Sequence, residues 1–257
     1  MSHRFVLRTL MKKFESRDLG SAAQLMRKET NPARKSDVLD RIDKDAVTKR
    51  LMEILDIRDQ ENRAIGITPT HVREIKEYLR ALDLIVDSPI ETADKDAEPL
   101  EGVLFAQPGI RYCQAQALVY SLREDPIFAD LSVAEKNMVC KRILEDVRGR
   151  MMEEIVLLET TKAYGRKKSI FRMQFARAEF DMVVFDNETN TCECYEIKHS
   201  DRIVDRQMQY LIDPEYLRDT ERKFGPITKR CVIYRGSSVE LDNGVAYVNV
   251  EDYLKAL

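Results

Sequence analysis

Excess charge, cysteine and long apolar runs are all scarce in this chain, and each shortage removes a class of protein. Its 42 Lys and Arg stand against 45 Asp and Glu, a formal net charge of -3. No global field therefore draws it to a polyanion, and any nucleic-acid binding would rest on a local surface. The first fifty residues are basic and the later chain balances them, which a solvated helical surface explains. The five cysteines, at 113, 140, 192, 194 and 231, are odd in number and include no Cys-x-x-Cys pair. With no cluster of histidines beside them they argue against a zinc site and for reduced thiols in a cytoplasmic protein. No apolar run nears the roughly 20 residues that a membrane-spanning helix needs, and the first residues lack a signal-peptide apolar region. There is no internal repeat and no low-complexity tract.

What remains is a highly charged chain, 34% Asp, Glu, Lys and Arg, of 257 residues, enough for one large or two smaller domains. Residues 1–65 read as a helical region. Arg4 to Phe14 mixes apolar and basic residues at helical spacing, a second helix runs through Gln24 to Lys28, 31–36 is a linker, and a third segment carries Leu39, Ile42, Val47, Leu51 and Leu55. Residues 66–110 follow the order helix, strand, loop, strand of the second half of a winged helix-turn-helix. Thr68 fits an N-cap and Pro69 the first helical position, and Val72, Ile75, Leu79 and Leu82 form one apolar stripe. Off that stripe the helix carries His71, Arg73, Lys76 and Arg80, interleaved with Glu74 and Glu77. Those carboxylates would face phosphates unfavourably, so a packing role suits this helix better than DNA reading.

Residues 111–257 read as an α/β domain with one central mixed sheet. The expected order is a helix from Tyr112 to Leu122, a loop at Asp125-Pro126, and a long helix capped by Ser132 with Met138, Ile143, Val147, Met151, Ile155 and Leu158 as its stripe. Gly149 inside that helix suggests close packing, since an interior glycine costs about 1 kcal/mol against alanine. A strand at Ser169 to Gln174, a hairpin, helices over Ile203 to Leu211 and Pro214 to Phe224, strands Arg230 to Tyr234 and Val245 to Val250, and a last helix from Asp252 complete the order.

The hairpin carries the chemistry. Its arms are Glu179-Phe-Asp181-Met-Val-Val-Phe185 and Cys192-Glu-Cys-Tyr-Glu196-Ile-Lys198, joined by a turn centred on Glu188 and Thr189. That symmetry sets Phe185 opposite Cys192, Asp181 opposite Glu196 and Glu179 opposite Lys198. Period-two alternation puts Glu179, Asp181, Val183 and Phe185 on one face with Cys194, Glu196 and Lys198, and puts Phe180, Met182, Val184, Tyr195 and Ile197 on the other. Both faces look buried. Two carboxylates opposed across a buried sheet repel one another, and a divalent cation between Asp181 and Glu196 would resolve the conflict. A solvated ion-pair cluster at a sheet end is the plainer alternative. Glu-x-Lys by itself is unspecific here, recurring at Glu74-Ile-Lys76 and Glu221-Arg-Lys223 in helical settings.

Asp on one strand and Glu-x-Lys on the next resemble the core of the PD-(D/E)xK nuclease-like superfamily, with its restriction-endonuclease-like fold. From about Thr70 onward the chain also resembles the C-terminal part of a group of bacterial and archaeal AAA-type P-loop ATPases. In that group the ATPase is followed by a winged helix and a nuclease-like domain of uncharacterised role. The likeness rests on Thr70-His-Val-Arg-Glu-Ile-Lys-Glu-Tyr-Leu-Arg-Ala-Leu82, Gln107-Pro-Gly-Ile-Arg111, Gly149-Arg-Met-Met-Glu153, Glu179-Phe-Asp181 and Glu196-Ile-Lys198. Two departures stand out. Gln107 replaces the acid usual before the Pro-Gly turn, and no G-x-x-x-x-G-K-[ST] loop exists, since Gly165-Arg-Lys-Lys-Ser169 lacks the upstream glycine. The expectation is a detached C-terminal portion, or a version whose ATPase is absent, without ATPase activity of its own.

The resemblance implies that Asp181 and Glu196 bind Mg²⁺, or Mn²⁺, through oxygen ligands. It further implies that the metal activates a water and that Lys198 orients that water or offsets charge on the scissile phosphate. Glu153 matches the superfamily's helical acid and is a further metal ligand; a helix-surface charge beside Glu154 is the alternative. Glu179 could replace or assist Asp181. Gln207 matches, loosely, a glutamine on the helix after the hairpin, where Arg206 and Tyr210 complete a polar cluster; a solvated helix face is the alternative. His199 reads as a strand-end packing residue. The functional expectation is a Mg-dependent DNA phosphodiesterase, either endonuclease or exonuclease. The alternatives are a non-catalytic module of nuclease-like fold that binds nucleic acid or protein, and a winged-helix regulator. DNA is the expected partner, with a separate ATPase or self-association as further possibilities and no membrane. DNA against RNA is left open.

Overall fold

In the computed structural model the described residues are Ala46, 68–93 and 100–257. The helices expected within 1–65, the 31–36 linker and the basic stretch they include lie outside them, apart from Ala46, and so does most of the 91–98 loop. The described fold is mixed α/β, with six α-helices and a central sheet of seven strands. Compactness divides the chain into two units: one holds 109–148 with residues up to Tyr78, the other Leu79–Pro108 with Gly149–Leu257. The expected boundary at 110/111 does not coincide with this division.

In the first unit, helix α1 (Pro69–Ala81) starts as its sequence predicts, with Thr68 Oγ1 accepting the His71 amide at 3.3 Å. Helix α2 (Gly109–Arg123) is followed by a 3₁₀ turn at Pro126–Phe128, where a loop is expected, with Asp125 capping it. Helix α3 (Val133–Tyr164) opens on a capping box: Ser132 Oγ accepts from the Glu135 amide at 3.3 Å, and Glu135 accepts from the Ser132 amide at 2.9 Å. Phe128, Val139 and Ile143 are buried, whereas Met138 is exposed. The buried line of α3 keeps Ile143 and Leu158 of the expected stripe and takes up Val139 in place of Met138. It continues, in the second unit, as Met152, Val156 and Thr160.

In the second unit β1 (Ile85–Asp87) pairs antiparallel with β3 (Val103–Phe105). Between them, however, β2 (Ile90–Thr92) leaves that pair and joins the central sheet, parallel to β4 (Lys168–Gln174). The order across the sheet is β2-β4-β5-β6-β7-β9-β8, with β5 (Glu179–Asp186), β6 (Thr191–Ile197), β7 (Ile227–Tyr234), β8 (Val239–Glu240) and β9 (Ala246–Asn249). The β5-β6 hairpin is central, β6, β7 and β9 run parallel, and β8 closes one edge. One face carries Phe171, Met173, Val183, Cys192 and Cys194 against α4 (Gln209–Ile212) and α5 (Pro214–Phe224). The other carries Met182, Val184, Tyr195 and Ile197, packed with Met152, Val156 and Leu157 of α3 and Tyr253 of α6 (Val250–Lys255). Covered on both faces, the hairpin strands are largely apolar.

The helix expected over Ile203 to Leu211 is replaced by a 3₁₀ turn at Asp205–Gln207 and the single turn of α4. Residues 201–206 are solvent-exposed, so no apolar face holds a longer helix there. Gly149 is not forced by close packing: a Cβ on it would meet its nearest neighbour, His199 Cβ, at 3.9 Å, an ordinary contact.

Candidate functional site

Hairpin register follows the sequence, with Phe185 opposite Cys192 and Asp186 opposite Thr191. The turn is fixed by Asp186 Oδ1, which accepts from the amides of Glu188 at 2.9 Å and Thr189 at 3.2 Å. On its other side β5 departs from plain alternation. Pairing with β4 passes from Phe171–Val183 to Met173–Phe180, so Asp181 and Met182 together stand opposite Arg172. This is a β-bulge, a device that re-aims side chains and is common beside active sites. It corrects the expected facing: Phe180 packs with Val183 and Cys194 instead of with Met182.

The bulge places Asp181 where it reaches the end of β6. Its Oδ2 accepts the Ile197 amide at 2.7 Å and the Lys198 ammonium at 2.7 Å. Lys198 Nζ also lies 2.5 Å from Glu196 Oε2. Both carboxylates are buried, at 7% and 3% exposure, while Lys198 is partly exposed. The three expected residues therefore meet, with the lysine bridging the two acids. Glu196 Oε1 is buried and has no hydrogen-bond partner among the described residues.

The electrostatics follow from that crowding. Burial and then the Asp181 charge push the Glu196 carboxyl well above its ordinary range, although Lys198 opposes them. Glu153, half-buried on α3, is pushed up to about 8 by burial and by the Asp181 charge, against the pull of Lys198 and Arg150. Burial works against the Lys198 ammonium, but the Asp181 and Glu196 charges outweigh it and hold its pKa above the usual lysine value. Burial thus disfavours the anions of Glu196 and Glu153, while Lys198 answers the charge of Asp181.

The other expected participants stand apart. Glu179 is exposed and pairs with Gln174 of β4, the β5–β6 ladder ends at Met182–Tyr195 before it reaches Lys198, and the Glu179 charge adds to the upward push on Glu153. Gln207 spends its side-chain oxygen on the Val204 amide, at 3.2 Å, closing the 3₁₀ turn, and Tyr210 packs edge-on against Tyr216. Glu154, read as a surface neighbour of Glu153, is itself buried. Among the described residues no three Asp, Glu, His or Cys side chains already stand as a ready metal cage. Sequence reasoning also missed Arg235, whose guanidinium meets the His199 ring at 3.4 Å. No local signal links two residues that follow different strands, 36 positions apart.

No family model matches the chain, and no curated protein is similar to it. No helix among the described residues is long and apolar enough to cross a membrane.

Proposed function

We propose that the chain is a Mg-dependent phosphodiesterase of nuclease-like fold acting on DNA, with Asp181, Glu196 and Lys198 as its reactive group. The observation that carries this reading is the buried Glu196 Oε1, which has no hydrogen-bond partner among the described residues, beside the charge of Asp181. A buried polar atom without a partner is costly, and two crowded carboxylates are costlier still. The donor set is all oxygen, which fits a hard cation, and Mg²⁺ needs only one or two carboxylates because it keeps waters and takes substrate oxygens. The absence of a ready three-acid cage is thus compatible with it. Asp181 and Glu196 would hold the ion, with Glu153 a further oxygen donor. When bound, the ion lowers the pKa of a water and offsets charge on the phosphate.

The chain's own groups define the other roles. Lys198, partly exposed and held as ammonium, presents positive charge on the solvent side of the two acids, where a phosphate oxygen gaining charge would lie. Glu153, at about 8, exchanges a proton near neutral pH and suits acid-base work on a water. Asp181 is oriented by the Ile197 amide, so its carboxylate does not rotate away. Association with a separate ATPase, which the absence of a phosphate-binding loop invites, belongs to the same proposal.

A second reading rests on Lys198 itself. Its bridge to both acids, at 2.7 and 2.5 Å, already compensates part of their charge. In that reading the cluster is a closed ionic staple and the domain binds without cutting. Incubation with supercoiled and single-stranded DNA and Mg²⁺ or Mn²⁺ separates the two. Cleavage lost in Asp181→Ala and in Lys198→Ala supports the enzyme. Cleavage unchanged in both variants assigns it to a contaminant, and metal-independent binding without cleavage favours the staple.

A further inference from the structure

We propose that residues 201–206 form a self-complementary surface through which two copies of this chain associate about a twofold axis. The inference does not depend on the enzymatic reading. The segment Asp201-Arg-Ile-Val-Asp-Arg206 follows the end of β6, just past Lys198, and all six residues are exposed. In the stretch 149–257 the exposed large apolar side chains are Ile203, Val204, Ile212 and Val239. Ile203 and Val204 are neighbours in the chain, at 42% and 49% exposure. Their spacing with Leu211 is that of a packed helix face, yet the fold leaves this half of the segment uncovered. Adjacent apolar side chains left in water, rimmed by charge, are what an interaction surface presents.

The order of the charges selects the partner. From Asp201 the segment runs acid, base, apolar, apolar, acid, base. Laid antiparallel against its own copy, Asp201 meets Arg206, Arg202 meets Asp205, and Ile203 meets Val204, each pair occurring twice. That is the condition for an isologous contact, in which residue i touches residue j and j touches i. A polyanion would meet two aspartates as well as two arginines, with no net attraction from the segment. None of the four charged side chains makes a hydrogen bond or ion pair among the described residues, so their charges are not spent within the chain.

The surface is also held in shape before it is covered. Ser200 Oγ donates to Arg202 O and accepts the Arg202 amide, both at 3.1 Å, while the Arg235 amide donates to Ser200 O at 2.8 Å. Val204 has an extended backbone, φ -138 and ψ 130. Its amide donates to Gln207 Oε1 at 3.2 Å, and its carbonyl accepts the Gln207 amide at 2.8 Å and the Tyr247 hydroxyl at 3.4 Å. A segment fixed in this way loses little freedom on association.

The test is sedimentation equilibrium of the full chain from low to several hundred micromolar, without nucleic acid or metal. Wild type is expected to pass from monomer to dimer. The variants are Val204→Glu, Arg202→Asp, Asp205→Arg and, as a remote charge control on α6, Lys255→Glu; melting temperatures check that each folds. Each of the first three is expected to weaken self-association by about tenfold, since a twofold contact repeats the change on both sides. Lys255→Glu leaves it unchanged. The decisive step is mixing. Arg202→Asp and Asp205→Arg each place like charges together in their own dimers, but combined they place acid against base on both sides of the axis. A heterodimer of near wild-type affinity, seen by native mass spectrometry, is expected, and no change within a single chain produces it. A wild type monomeric throughout overturns the proposal and leaves the surface to a different partner. A dimer that none of the first three variants weakens overturns it too, as does failure of the mixed pair to associate. Cleavage of DNA, present or absent, bears on the enzymatic reading and leaves these outcomes unaffected.

Discussion

Glu153 holds its proton to about pH 8 because burial and the Asp181 charge disfavour its anion. In the unfolded chain a glutamate releases that proton near its ordinary value of 4.5. Between those limits the folded state binds more protons than the unfolded one, so this group lowers stability as pH rises from about 4.5 to 8 and adds nothing further above it. Glutamine cannot titrate. Glu153→Gln is therefore expected to match wild type at pH 4 and to melt higher at pH 9, in EDTA. Glu196 is shifted in the same direction, so the variant flattens only part of the wild-type slope. A wild-type slope that Glu153→Gln leaves unchanged would remove Glu153 from the buried cluster. The residue types at this site could be read directly, because Asp, Glu-x-Lys and a helical Glu are visible as letters. Their charge states could not, since desolvation depends on what covers them.

At the scale of elements, the hairpin and its register were legible because the turn residues and the apolar arms agree. The bulge at Asp181 and Met182 was not. It arises where β5 must pair with both β4 and β6, and a strand's own sequence does not contain its two neighbours' spacing. A similar tertiary constraint ends α5. Gly225 has φ 77 and ψ -173, and a Cβ on it would fall 2.0 Å from the Asn190 carbonyl in the hairpin turn. The backbone geometry alone is worth about 1–3 kcal/mol against any other residue. Gly225→Ala is expected to lower the melting temperature by about 2–4 °C for each kcal/mol lost in a chain of this size. An unchanged melting curve would mean that the helix end and the hairpin turn do not press together. The helix expected over Ile203 to Leu211 fails for the converse reason: its periodicity is real, but its first half finds nothing to pack on.

At the scale of the molecule, near-neutral net charge leaves local fields to decide what binds. The same buried acidity that depresses stability at high pH would make a cation bound there stabilising. A ligand present at a hundredfold its dissociation constant adds about 2.7 kcal/mol to a folded state that alone binds it. Mg²⁺ or Mn²⁺ at pH 8 is therefore expected to raise the melting temperature of wild type but not of Asp181→Ala. A shift of equal size in both would place the ion elsewhere, and no shift in either would favour the ionic staple. The compact units divide at Tyr78/Leu79, Pro108/Gly109 and Arg148/Gly149, within α1, before α2 and within α3. The boundaries drawn from composition and element order miss this, since a long helix gives no local sign that its two halves belong to different units.

The sequence by itself determined most element types, the hairpin register and the identity of the charged core, because turn chemistry, periodicity and residue type act over a few neighbours. The tertiary structure alone decided that Lys198 bridges Asp181 and Glu196, that Glu196 Oε1 has no partner among the described residues, and that Arg235 meets His199. Those outcomes come from strands brought together across long loops, and burial and Coulomb energy are properties of the assembled neighbourhood.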